Sequence, residues 1–483
     1  MIRLSSAYDT LTPAERYGLD LLIDLARLVP VADAAADVVR IEVVDGHGGQ
    51  ADLPTCLRRG WDLGRGDGVV RLPRTTLRWM TDLAGAGAEH RATARDGHGR
   101  VPSSENALVA HGVEQTPVVS QAGVALRNAV LNAAGRRIAR LVAPWPDGRR
   151  WAAAFTHDLD VVAGWPLFTL LRLRELIAKA EIGRSARVLG AAAGALGRAP
   201  VWHGVRSLLE TEQACGIRST WFVLCGTPTL GTIRAGDLTY RPQSPAARRI
   251  FAELARRGCE IGLHGSFATA EDGGVFAEQR RRLRELVGDD VPGVRQHFLR
   301  LRHGATARSM AAAGFRYDTT YGFPDRNGFR LGVADVLPAW DAERLQPLSL
   351  EEAPLCWMDR ALSKYRGVEE PQTWVRDGLA LAQACRAVEG VWVGVWHPNL
   401  TPALGFPDAP AAFADLARRI VEDGPFVAPL ATIVDWRVLR RSVRVRRLAP
   451  DGRLDADATG QGAIAPILED AAGRSLERVT RRG

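Results

Sequence analysis

Asp158 and Asp160 close an apolar run, Ala152-Ala153-Ala154-Phe155-Thr156-His157, near the first third of the 483-residue chain. The run reads as a buried strand, and both acids fall at its C-terminal end. In α/β folds the C-terminal ends of strands are where active sites are built. Side chains at i and i+2 leave an extended chain on the same side, so both carboxylates can face one cleft. Two acids so placed repel each other unless something positive sits between them, and a metal ion is the usual answer. Other polar residues end other predicted strands: His264, then Arg295 with His297, then Asp318, then His397. In a barrel of parallel strands such ends converge on one mouth, so residues distant in sequence can share one site.

The elements that must position them alternate along the chain. Strand-like runs cover residues 152–157, 219–225, 260–264, 294–298, 316–319, 355–358, 391–397 and 426–429. Helical patterns cover 207–215, 245–257, 275–287, 306–313, 373–388 and 411–422. This alternation predicts parallel strands joined by crossover helices, and the number of strands favours a barrel over a doubly wound sheet. No G-x-G-x-x-G follows a strand, which weakens a dinucleotide-binding reading.

The chain is too long for one ordinary core, so more than one domain is expected. Residues 1–142 read as an N-terminal accessory α/β domain of unassigned role, with helices over 13–29 and 121–140 and a strand over 38–44. His47, His90, His98 and His111 fall in its loops without ligand spacing. Residues 143–150 read as a linker, 151–439 as the barrel and 440–483 as a basic tail whose composition suits disorder. Residues 161–202 are an insertion between the first two barrel strands. Its basic amphipathic stretch, 165–180, is read as a lid or packing layer in preference to a helix that meets a membrane.

Composition narrows the function classes. Hydrophobic content of 46% and charged content of 24% suit a globular protein. The formal charge is +8, yet Lys179 and Lys364 are the only lysines, an Arg bias without the aromatic interleaving of a nucleic-acid interface. Nucleic acid is therefore not an expected partner, whereas an anionic substrate such as a phosphorylated or lipid-pyrophosphate sugar fits the charge. The six cysteines, Cys56, Cys215, Cys225, Cys259, Cys356 and Cys385, form no C-x-x-C pair and read as buried thiols of a reducing compartment. No apolar signal core opens the chain, and no run of about 18 apolar residues predicts a transmembrane helix, so a cytoplasmic location is expected.

Several segments resemble, in order, the signatures of polysaccharide deacetylases (carbohydrate esterase family 4, the NodB-like proteins). They are Thr156-His157-Asp158-Leu159-Asp160, Ser219-Thr220-Trp221-Phe222-Val223 and Gly258-Cys259-Glu260-Ile261-Gly262-Leu263-His264. The likeness continues through Gly293-Val294-Arg295-Gln296-His297-Phe298, Gly314-Phe315-Arg316-Tyr317-Asp318-Thr319-Thr320 and Trp396-His397-Pro398. It spans roughly Trp151 to Trp436, and Tyr317 to Arg330 looks like a divergent branch with an added N-terminal domain. The resemblance implies a deformed (β/α) barrel, a divalent metal, expected to be Zn²⁺ with Co²⁺ or Ni²⁺ as alternatives, and hydrolysis of an N- or O-acetyl group on a sugar. By position it makes Asp158 the general base, Asp160 and His264 metal ligands, Arg295 the partner that orients the base, and His397 the general acid.

One position departs from the pattern. Four residues after His264, where a second histidine is expected, stands Ala268. A catalytic zinc usually takes three protein ligands and keeps one position open. His297, at the end of the next strand where the family usually has proline, is the best substitute, since the neutral hydroxyls of Ser266 and Thr269 are poor ligands. Ser266, Asp318 and Trp396 are assigned to the substrate side, Asp318 mainly as a structural partner of Arg295, with Trp340 and Trp357 as further members of a sugar-stacking wall. The expected function is metal-dependent deacetylation of a glycan, glycolipid or sugar-nucleotide precursor. The alternatives are a hydrolase of a non-sugar C–N amide bond and a degenerate carbohydrate-binding protein of a surface-polysaccharide pathway.

Overall fold

The computed structural model describes residues 2–4, 6–34, 39–45, 64–66, 68–134, 140–141, 144–163, 165–196, 199–448, 454–457, 467–469 and 475–478. His47 and Cys56 lie outside them.

Every residue of β1 (Ala152–Leu159) is buried. A strand enclosed on both faces needs helices above and below, which parallel strands with crossover helices provide. The strands that follow are β2 (Thr220–Leu224), β3 (Glu260–Gly265), β4 (Gly293–Gln296), β5 (Tyr317–Asp318), β6 (Leu337–Asp341), β7 (Gln346–Glu352), β8 (Trp357–Met358), β9 (Val391–Val395) and β10 (Phe426–Val427). They form one sheet in the order β6-β7-β5-β4-β3-β2-β1-β9-β8, with β10 beside the start of β1. All neighbours are parallel except the β6–β7 hairpin. The sheet is a deformed (β/α) barrel that stays open between β6 and β8.

The barrel helices begin and end where their chemistry directs. Ser244 caps α4 (Pro245–Arg256) with proline at its first turn, and Asp272 caps α5 (Gly273–Val287). Gly288, at φ 70°, ends α5 in the left-handed conformation that glycine adopts without a Cβ clash. The hairpin β6–β7 is the main element that strand–helix alternation does not announce. Its first strand is half-buried in alternation and carries Pro338, which an edge strand tolerates.

The insertion forms an antiparallel pair, α1 (Trp165–Ala178) and α2 (Ile182–Gly194), ahead of α3 (Pro200–Ala214). Leu173, Leu176 and Val188 make its small core, and Arg172, Lys179 and Arg184 converge on Glu369. Its outer face exposes Leu167, Leu170, Leu171, Ile177, Ile182 and Leu189. No described helix is long and apolar enough to cross a membrane.

The N-terminal residues build a second sheet from Ile2–Leu4, Val39–Val44, Gly64–Gly66 and Val69–Pro73. Its core also takes in Leu331, Val333 and Leu337 of the barrel segment. Buried ion pairs tie the two parts: Arg330 forks onto Glu89, and Arg27 reaches Asp335 at 2.7 Å. The stretch read as a linker is packed rather than free. Trp145 is fully buried and donates to the Glu389 carbonyl, and the Pro144 carbonyl accepts from Trp436 and Arg440. Beyond it, the expected tail begins inside a helix, since residues 440–442 end Leu430–Ser442. Short strands follow: Arg444–Leu448 pairs with Val31–Ala34 and Leu454–Asp457, and Ile467–Glu469 pairs with Ser475–Arg478, while the other tail residues from 449 on lie outside the described residues.

Asp318 of β5 and Glu352 of β7 are register partners, buried side by side. Burial pushes Asp318 up to about 6 and holds Glu352 well above the usual carboxylate range. Two acids in one dry site cannot both ionise cheaply, so they keep a proton between them. Both folded-state values are raised, so the stability the pair contributes is complete below pH 3.8 and falls as pH rises, Asp318's share by about 6 and Glu352's over a window that starts at 4.5 and extends well above it. Glu352→Gln, which carries its own donor, is expected to flatten the fall of Tm with pH over that window. Parallel Tm profiles for variant and parent would rule out the shared proton.

Candidate active site

The register explains which side chains meet. Asp158 pairs with Phe222, Phe222 with Gly262, and two residues on, His264 pairs with Arg295. Register partners point to the same face, and so do residues two apart, so Asp158, Asp160, His264 and Arg295 all face the barrel interior. Gly262 is required here, because a Cβ would stand 2.6 Å from the Phe222 ring, over which the Arg295 guanidinium lies at 4.4 Å.

Arg295 is fully buried. It donates to Asp158 Oδ1 at 2.7 Å and Thr156 Oγ1 at 2.9 Å, and its other nitrogens are held by Thr319. Burial works to raise Asp158, but Arg295, then His264 and His397, outweigh it and hold the carboxyl below its ordinary range. The second oxygen, Oδ2, stays turned to the centre, 3.8 Å from His264 Nε2.

Asp160, His264 and His297 each bring a ligand atom within 4.8 Å of the others. Asp160 Oδ1 stands 3.3 Å from His264 Nε2 and 3.7 Å from His297 Nε2. Ligands about 2.0–2.1 Å from a tetrahedral ion lie about 3.3 Å apart, so a small adjustment closes this set around one cation. Asp160 Oδ1 is buried without a hydrogen-bond partner, the state of an acceptor reserved for an ion. The residues therefore fit a divalent metal of the nitrogen- and oxygen-ligated kind.

Each ring is aimed from behind. His264 Nδ1 donates to the Arg295 carbonyl at 2.9 Å, and His297 Nδ1 bonds Asp237 Oδ1 at 2.9 Å, leaving both Nε2 atoms for the centre. His297 owes its approach to the backbone after it. Phe298 and Leu299 take left-handed φ values of 61° and 52°, and the Phe298 ring folds back onto the imidazole at 3.9 Å. Removal of Asp237's carboxylate, as in Asp237→Ala, is expected to weaken metal binding about 10- to 100-fold. Unchanged affinity in a competition titration with a chelator would contradict that.

Beside Asp160 stands His397. Its backbone N–H and its Nδ1 both bond Asp359, at 2.7 and 2.6 Å, and its Nε2 is 3.6 Å from Asp160 Oδ2. Burial works against its charge, but Asp359, then Asp160 and Asp158, raise it to about 8, so it carries a proton at neutral pH. The centre opens into a cavity of about 80 Å³, room for a small group, so a larger substrate must lie across its mouth.

Three members of the expected site are not in it. Ser266 is buried against α5, accepting from Gln279 Nε2 at 2.7 Å. Asp318 is displaced by register: Val294 pairs with Asp318, so Thr319 rather than Asp318 comes beside Arg295, and Asp318 accepts from Thr320 beside Glu352 instead. Trp396 is core, stacked on Trp357 and packed against Phe413. The sugar-stacking wall does not form, since Trp340 packs on Tyr17. Ala268 sits exposed on the turn Phe267–Ala270, while Thr269, beside it, bonds Gln296.

Sequence reasoning missed Asp237, Asp359 and Arg100. Asp359 had a signal, since it directly follows a predicted strand. Arg100 had none: it comes from the N-terminal part, lines the cavity, and donates to the Phe298 carbonyl at 2.9 Å. His98, read as a loop residue, stacks on the other face of Phe298 at 4.7 Å.

No family model matches the chain, and no curated protein does. Among solved structures it is similar to a putative polysaccharide deacetylase from Mycobacterium smegmatis, at 22% identity over 61% of this chain and 92% of that one, with a TM-score of 0.41. It is also similar to a probable polysaccharide deacetylase from Pseudomonas aeruginosa PAO1, at 16% identity over 61% and 93%, TM-score 0.40. A third, described as Puue allantoinase, is 15% identical over 62% and 93%, TM-score 0.40.

Proposed function

We propose that this protein is a metal-dependent hydrolase that removes an acetyl group, N- or O-linked, from a sugar of a glycan, glycolipid or sugar-nucleotide precursor. The observation that carries the reading is the convergence of Asp160, His264 and His297 between a paired carboxylate, Asp158–Arg295, and a carboxylate-held histidine, His397–Asp359. When bound, a divalent ion supplies Lewis-acid activation of water and of the acyl carbonyl.

The chain's own residues do the rest. Asp158 takes the proton of the attacking water at Oδ2, while Arg295 keeps Oδ1 occupied and the carboxylate ionised. His397, charged at neutral pH, delivers a proton from Nε2 to the leaving nitrogen or oxygen. Asp359 fixes the ring by its other nitrogen and stabilises the imidazolium.

The test is acetate release from N-acetylglucosamine derivatives and from simple amides, with metal content measured on the same preparation. The reading expects release that a chelator abolishes and one divalent ion restores, with sugars preferred over simple amides. A protein that retains no stoichiometric zinc, cobalt or nickel after loading would instead be the degenerate binding protein.

A further inference from the structure

We propose that Arg360 and Lys364 form an anion subsite at the pocket mouth, so that the substrate is an acetylated sugar carrying a phosphate. This rests on the hydrolase reading above and names its substrate class. Both residues line the cavity that holds Asp158, Asp160 and His397. Both lie on one short segment: Asp359 and Arg360 directly follow β8, and a π-helical turn, Ala361–Tyr365, carries Lys364. Such turns are uncommon and recur at functional sites.

The cations around them are matched, and these two are not. Arg100 pairs with Asp96 at 2.7 Å, Arg295 with Asp158 at 2.7 Å, and Arg172, Lys179 and Arg184 share Glu369. Among the described residues, Arg360 makes one hydrogen bond, to Ser363 Oγ at 3.4 Å, and no carboxylate stands within ion-pair distance of it. Lys364 has only ring neighbours, with Nζ 5.4 Å from the Tyr365 centroid and 6.0 Å from that of Phe298. Burial lowers Arg360 from its ordinary range, because neighbouring acids, Asp359 first, do not fully offset it.

Two positive charges without an ion-pair partner beside one pocket, Arg360 half-buried and Lys364 exposed, match a ligand group that carries two negative charges. A neutral sugar supplies none and a carboxylate supplies one. A phosphate supplies the charge and enough oxygens for a guanidinium fork and an ammonium together. The position agrees with the chemistry. His397 must protonate the leaving sugar atom, so the sugar lies on the Asp359–His397 side, where Arg360 and Lys364 meet its substituents. A nucleoside-diphosphate sugar and a lipid-diphosphate sugar both present this group.

The full chain carrying Asp158→Asn, so that no turnover intervenes, should be titrated calorimetrically with N-acetylglucosamine and with N-acetylglucosamine 1-phosphate. The 1-phosphate is expected to bind about 10- to 100-fold tighter, and Arg360→Gln with Lys364→Gln to erase that advantage. Equal affinity for the two probes, or an advantage that survives the double variant, overturns the subsite. A second readout needs no variant at Arg360 or Lys364. Because Lys179 and Lys364 are the only lysines, reductive ¹³C-methylation gives two lysine signals, and the 1-phosphate should move that of Lys364 alone. A saturating titration that leaves it in place also overturns the subsite. A nucleoside-diphosphate and a polyprenyl-diphosphate N-acetylglucosamine, run as separate arms, tell the two sources apart by which gains the Arg360- and Lys364-dependent affinity. Acetate release without phosphate preference sinks this inference alone, whereas phosphate preference without metal or acetate release sinks the hydrolase reading alone.

Discussion

Asp158→Asn is expected to lower kcat by about 100- to 10,000-fold while the protein keeps its metal and its fold. The amide retains an oxygen that can accept from Arg295, so the 2.7 Å contact has a substitute and the buried guanidinium is not stranded. It has no basic oxygen for the water's proton, and that is the loss. Asp158 is also outside the group that could hold a metal ion, Asp160, His264 and His297. Metal content per chain, Tm and initial rates of acetate release must therefore be measured together. Normal turnover would remove Asp158 from the role of base. Loss of metal alongside activity would make Asp158 a ligand instead.

His297→Ala carries the second large effect. It removes one of the three side chains proposed to hold the metal and leaves the Asp237 carboxylate, now facing a void, without its imidazole partner. Loss of a mere orienting partner costs about 10- to 100-fold in metal affinity, so loss of the ligand should cost more than about 100-fold. Thr269→Ala is the matched control. Its hydroxyl bonds the Ser266 carbonyl and Gln296 rather than the centre, so metal should stay. Equal metal retention in the two variants would show that His297 is not the third ligand.

Much of the barrel was legible along the chain. β1, β2 and β9 carry apolar runs because each is covered on both faces, and such runs stand out in any linear reading. The β6–β7 hairpin did not stand out. Its strands are partly exposed and one contains proline, so their pattern resembles a loop. Asp158, Asp160, His264, His297 and His397 lie at strand ends, and the structure brings them together. Ser266, Asp318 and Trp396 lie at strand ends too but sit apart from them, because nearness to a strand end says nothing about which face a side chain takes. One residue of register moves a side chain to the opposite face, and that step separates Thr319, beside Arg295, from Asp318, paired with Glu352.

The order of apolar runs and helical patterns determined by itself that parallel strands would carry a row of polar residues at their C-terminal ends. Local burial and periodicity are written in neighbouring residues, so a linear reading reaches them. Only the tertiary structure decided that Asp237 and Asp359 would aim His297 and His397, and that Arg100 would enter the pocket from the N-terminal part. Those contacts join residues 60, 38 and 198 positions apart, and hydrogen bonds across such separations depend on packing and register that no short window of sequence contains.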